Sequence, residues 1–172
     1  TAGDILAEKA IQKIAAKGKT LLPELLEAAQ SPDNFRIQKW SLQALGAIGD
    51  KKAVPILLAA LQDERMQIRL HALKGLARMK YKKAAKAVAA LLKDESGGVR
   101  VNVLYVLIKF ADKGVIPQVI KALSDEQWYV RQNACVACGE LGAQKAKAIL
   151  QKLAKQDPKK AVQNAAKEAL RK

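Results

Sequence analysis

The chain repeats itself every 31 residues, and that period limits the folds open to it more than any other feature. The stretches DERMQIRLHALKGLARM (63–79), DESGGVRVNVLYVLIKF (94–110) and DEQWYVRQNACVACGEL (125–141) each begin Asp-Glu. Five positions on, each has a β-branched residue followed by Arg: Ile68-Arg69, Val99-Arg100 and Val130-Arg131. Upstream, Ile37-Gln38 and Leu6-Ala7 fall in the same frame; downstream, Val162-Gln163 restarts it one residue late. A period of roughly 20 to 50 residues marks a solenoid, whose units bury their apolar faces only by stacking on one another.

Each unit reads as two helices. The first carries Ile68, Ala72, Leu73, Leu76 and Met79, a spacing that forms one stripe on an α-helix. The second carries Val54, Leu57, Leu58 and Leu61, or Ile116, Val119, Ile120 and Leu123. GDKKA (49–53) and ADKG (111–114) separate them, with Gly and Asp placed to end or cap helices. The apolar half of the composition is mostly Ala and Leu, both strong helix formers. The expectation is an all-α chain of five helix pairs and a terminal helix. It forms a single array over 1–172, with units at about 4–31, 32–62, 63–93, 94–124, 125–156 and a partial 157–172.

Asp, then Val/Ile-Arg five residues later, then an Ala/Leu stripe, a short turn and a second apolar helix: this pattern resembles the HEAT-like repeats of the phycobilisome-lyase type. The resemblance covers nearly the whole chain and is strongest over 32–156. It implies a right-handed α-α superhelix whose second helices line a concave surface where partners bind. It also implies a ladder in which each Arg bridges to the Asp of the next unit, through Asp63, Arg69, Asp94, Arg100, Asp125 and Arg131. Read as residues alone, an Asp ahead of a helix caps its free N–H groups.

Charge points to the partner. The chain has 31 Lys and Arg against 16 Asp and Glu, a net +15, which favours polyanionic partners (nucleic acid, acidic protein segments or anionic membrane) or else a soluble, Lys-coated helical surface. Only seven of the 31 are Arg, the residue suited to bidentate phosphate and base recognition. Asp-Glu pairs occupy the turns between units, and lysines gather at the turns within units. On the outward rows of the second helices, Lys86, Gln118, Lys121, Lys147 and Gln151 are the candidate partner-binding residues of the concave face. Trp128 and Tyr129, just before a helix start, and Val101 and Tyr105, off the apolar stripe of their helix, are a second candidate interface.

Catalysis has no foothold in the sequence. His71 is the only histidine and has no carboxylate grouped with it by helical spacing, so neither a metal site nor an acid–base dyad is read. Cys135 and Cys138 form C-V-A-C, yet both occupy positions that are Leu in three sibling units, which makes them core residues. The expectation is a non-catalytic, monomeric scaffold without cofactors that binds an acidic protein or peptide through its concave face. Electrostatic nucleic-acid binding, in the manner of HEAT-type DNA glycosylases, and a bilin-lyase-type subunit are the alternatives. No run is long enough to insert in a membrane and no signal peptide is visible at TAGDILAEK, so a cytoplasmic chain, read as trimmed at its start, is expected.

Overall fold

The computed structural model describes residues 2–31 and 34–172, with side chains placed for all of these except 2–8, 15 and 19. The Leu6-Ala7 repeat position and the unit boundary at 32 therefore lie outside what is described. Among the described residues the chain is all-α: α1 (Ala2–Lys17), α2 (Leu22–Ala28), α3 (Phe35–Ile48), α4 (Val54–Ala60), α5 (Met66–Arg78), α6 (Ala85–Ala90), α7 (Gly97–Phe110), α8 (Ile116–Lys121), α9 (Trp128–Glu140), α10 (Lys147–Gln156) and α11 (Lys160–Ala169). Five pairs and a last single helix result. The contacts resolve into two compact units, Thr1–Tyr81 and Lys82–Lys172, so the boundary falls between the two helices of repeat 63–93.

One packing rule operates inside both units. First helices pack on successive first helices, α1 on α3 and α3 on α5 in one unit, α7 on α9 and α9 on α11 in the other. Each second helix packs on the first helix that follows it: α2 on α3, α4 on α5, α6 on α7, α8 on α9 and α10 on α11. The buried stripe is the one the period sets: Ile68, Leu73, Leu76, Val99, Val103, Leu104, Leu107 and Val130 are all fully buried. Between α3 and α5 the approach is close enough that a Cβ on Gly46 would lie 2.3 Å from the Gly75 Cα. Ile37 departs from its siblings at 49% exposed, because it borders an open apolar pocket of about 450 Å³ shared with Ile11, Ile14, Leu25 and Trp40.

The first helices end alike. Gly18, Gly49, Lys80, Ala111 and Gly142, each 31 residues from the next, all have positive φ. After α5 and α9 the chain closes a Schellman turn, with Tyr81 N–H donating to the Leu76 carbonyl (3.2 Å) and Ala143 N–H to that of Cys138 (2.9 Å). After α3 and α7 the simpler left-handed cap appears: Gly49 N–H donates to Leu45 O and Ala111 N–H to Leu107 O, both at 3.0 Å.

The late restart at Val162 has a geometric solution. The second helices α6 and α8 finish in three-residue 3₁₀ turns, Leu91–Lys93 and Ala122–Ser124, whereas α10 stays α-helical for ten residues to Gln156. Six α residues plus three 3₁₀ residues span about 15 Å, and ten α residues also span about 15 Å. The extra residue is absorbed without moving the next turn.

Candidate partner-binding face

The turns between repeats hold the framework. In each, the leading Asp accepts from the N–H two residues on, at 2.9 Å: Asp63 from Arg65, Asp94 from Ser96, Asp125 from Gln127 and Asp157 from Lys159. These donors are the N-cap residues of α5, α7, α9 and α11, and none of the four caps its helix with its own side chain. The Asp thus makes a tight turn ahead of the helix; it sits two residues too early to reach the helix's first free N–H groups.

The Arg of each repeat binds the turn from below. Arg69, Arg100 and Arg131 each donate through Nη1 to the carbonyls of the Asp and Glu of their own turn, at 2.7–3.2 Å. In Lys82–Lys172 the same guanidinium also reaches forward. Arg100 Nε and Nη2 donate to Asp125 Oδ2 and Oδ1, both at 2.8 Å, and Arg131 grips Asp157 likewise at 2.8 and 3.1 Å. The Arg131 hydrogen bonds hold the Asp157 carboxyl below its usual range. At the end of the ladder Gln163 replaces Arg and donates to the Asp157 carbonyl at 2.8 Å. In Thr1–Tyr81, Arg65 pairs with the turn as well: it donates to both Asp63 oxygens and to Gln38 Oε1, at 2.8 Å each.

The charge left over is sorted by layer. Within Lys82–Lys172, the second helices with the 3₁₀ turns beside them (82–93, 113–124 and 141–156) hold ten lysines and no Asp or Glu, and Asp112 is the one carboxylate in the turns that lead into them. All ten are exposed, Lys86, Lys121, Lys147, Lys152 and Lys155 among them. Helix electrostatics accounts for only part of this: Lys121 and Lys155 lie in the last turns of α8 and α10, where the dipole favours a cation. Lys147 is the first residue of α10, where the helix dipole disfavours a cation. In the other unit α2 carries Glu24 and Glu27, and α4 carries no charge.

Gln118 and Gln151 are also exposed on this layer. Lys152 was not singled out from the sequence, although adding 31 to Lys121 gives it directly. Beside it, a groove of about 560 Å³ runs between the end of the α8 segment and α10, bordered by Leu123, Ser124, Ile149, Lys152, Leu153 and Gln156.

The second candidate interface divides. Trp128 is 39% exposed and stacks edge-on with Tyr129, their ring centroids 5.8 Å apart. Tyr129 packs over the start of α7, where a Cβ on Gly97 would come within 2.4 Å of its hydroxyl oxygen; it serves the fold. Tyr105 is 56% exposed under the Lys109 ammonium at 4.8 Å, while Val101 is half-buried.

His71 is buried, edge-on to Trp40, with Gln43 Nε2 donating to its Nδ1 at 2.6 Å. Burial, with Lys74 and Lys39 nearby, pushes its pKa down to about 4. Cys135 and Cys138 are buried free thiols, pushed up to about 12 by burial, and so are inert core groups. No group of three or more His, Cys, Asp or Glu among the described residues is arranged to hold a metal ion, and no described helix is long and apolar enough to cross a membrane.

Stacked helix pairs joined by an Asp–Arg ladder define an α-helical repeat protein. The profile described as HEAT repeats matches residues 4–68 and 86–171, and the chain belongs to that family. Its fold is similar to that in the complex of CpcE and CpcF of phycocyanin lyase from Nostoc, at 22% identity and a TM-score of 0.65, covering 89% of this chain and 65% of that one. The chain therefore spans about two thirds of that lyase subunit. It is also similar to an engineered protein (21% identity, TM-score 0.66, covering 95% of this chain and 82% of that one). A third likeness is to a designed armadillo repeat protein in complex with the peptide (KR)4 (17% identity, TM-score 0.64, covering 95% and 90%). No curated protein sequence matches the chain.

Proposed function

We propose that the chain is a non-catalytic scaffold that holds an acidic protein or peptide segment against the second-helix layer of Lys82–Lys172. The observation that carries this reading is the layer itself, ten exposed lysines against one carboxylate, Asp112, in the turns that lead into it. Complementary potential on that scale steers and holds an anionic partner. A designed repeat protein of similar fold is seen in complex with a peptide, (KR)4, which supports a peptide as the kind of occupant; the acidic character rests on the lysines of this layer. Arg100 and Arg131 are committed to the ladder, so the layer has few guanidinium groups for phosphate or base recognition.

The test is binding of a fluorescein-labelled oligoglutamate peptide to the wild-type chain and to the Lys86→Glu/Lys121→Glu variant. The expected result is affinity weaker by about ten-fold or more, with helical circular dichroism unchanged. Equal affinity would overturn the assignment of this face. A labelled single-stranded oligonucleotide of matched charge, bound more tightly than the peptide and with a steep salt slope, would replace the peptide by nucleic acid.

A further inference from the structure

The groove beside α10 differs from a plain charged surface, and it deepens the reading above, on which it rests. Its floor is Leu123, 1% exposed, and its walls are the half-buried Ile149 and Leu153. Ser124, Lys152 and Gln156 stand exposed at the rim. The two carboxylates that reach it, Asp125 and Asp157, are each taken up in a two-pronged bond with Arg100 and Arg131. That end of the groove is thus neutralised internally, and the Lys152 ammonium has no ion pair among the described residues. The volume falls within the range of about 300–1,000 Å³ usual for ligand pockets.

The corresponding groove in Thr1–Tyr81, of about 470 Å³, is a control supplied by the repeat. It has apolar walls from Pro55, Ile56 and Ala59, but its polar residues are Gln30, Gln38, Gln62 and Asp63. Ala59 stands there at the position of Lys152. The apolar cleft is common to the two repeats; of these two, the one near α10 comes with a cation.

We infer that the groove beside α10 is the anchor site of the acidic segment, taking an aliphatic side chain onto Ile149 and Leu153 while an adjacent carboxylate meets Lys152. The occupant is therefore an extended peptide in which Glu or Asp alternates with Leu, Ile or Val, and not a uniformly acidic tract. A nucleic acid does not suit this groove. Its walls present no aromatic ring, and its one guanidinium is 15% exposed within the pair to Asp157, so bases find nothing to stack on.

Two labelled peptides of equal charge, Glu-Leu-Glu-Glu-Leu-Glu and Glu-Ser-Glu-Glu-Ser-Glu, separate the groove from the charged layer. The wild-type chain is expected to bind the Leu peptide about ten-fold more tightly than the Ser peptide. Ser124→Trp, which fills the groove from its exposed rim without touching the core, abolishes that preference and leaves the Ser peptide within about two-fold. Ile149→Ser does the same from the opposite wall. Equal binding of the two peptides by wild type, or a preference that survives Ser124→Trp, overturns the anchor site while the acidic-partner reading stands. Failure of wild type to bind either peptide overturns both.

Discussion

Ala111 occupies a backbone conformation that its own side chain resists. Its φ and ψ are 50° and 36°, the left-handed region, where an L residue with a Cβ is worse off by about 1–2 kcal/mol. Glycine fills the same repeat position at 18, 49 and 142. Ala111→Gly removes the clash and loses one exposed methyl group, so packing hardly changes. Against this gain stands the greater backbone freedom of Gly in the unfolded chain, about 0.5–1 kcal/mol. The net expectation is stabilisation by about 0.5–1 kcal/mol, or roughly 1–4 °C in Tm for a chain of this size. Gly142→Ala supplies the converse. Nothing lies within 4 Å of the added Cβ, so its cost of about 1 kcal/mol is conformational alone. Urea and thermal denaturation followed by circular dichroism measure both changes. A destabilised Ala111→Gly chain, or a neutral Gly142→Ala, would refute the argument that the repeat imposes this conformation whatever residue occupies it.

Three further outcomes follow from buried groups. His71 titrates at about 4 in the fold against 6.5 when free, so the unfolded chain takes up its proton first as pH falls. Stability is therefore flat above about pH 6.5 and declines by roughly 3 kcal/mol as pH falls to about 4. His71→Asn, the residue found at positions 102 and 133, removes that slope in urea titrations read by Trp40 fluorescence in a Trp128→Phe background; parallel curves for the two chains would contradict the assignment. Arg131→Ala leaves the Asp157 carboxylate, 2% exposed, without its main partner and costs about 3 kcal/mol, whereas adding Asp157→Asn recovers part of the loss; additive losses in that double-mutant cycle would count against the ladder. Cys135 and Cys138 react with a thiol reagent at pH 8 only after denaturant is added, and labelling of the native chain at the rate of a free thiol would overturn their core placement.

The architecture was legible because a period of 31 residues is visible wherever a position tolerates few residue types. Leu42, Leu73, Leu104 and Cys135 share one buried position, and the cysteines read correctly only through their siblings. Where a position is set by backbone geometry, the signal is weaker. Lys80 and Ala111 hide the left-handed cap, because residue identity reveals that conformation only when it is Gly. The exchange of a 3₁₀ turn for α-helix in α10 was hidden as well, since both arrangements use the same apolar stripe. The face of α10 was harder still. Lys147, Ala148, Gln151, Lys152 and Lys155 are all exposed, an arc wide enough that helical spacing selects Lys147 and Gln151 as readily as Ala148 and Lys152. Only its place on the groove rim distinguishes Lys152.

The ladder also determines what kind of recognition is left for the exposed layer. Arg100 and Arg131 are spent on turn carbonyls and on Asp125 and Asp157, so the cations that face a partner in the second-helix layer are lysines. An ammonium on a four-carbon stem attracts charge but fixes no direction, unlike the planar guanidinium fork. Attraction by the lysines alone therefore raises the rate of encounter and fades with salt, while discriminating poorly among acidic partners. Discrimination has to come from shape, and the apolar groove beside Lys152 supplies it. On this division of labour, raising the salt concentration weakens both test peptides but leaves their ratio nearly unchanged, because the ratio belongs to the aliphatic contact and the common affinity to the charge.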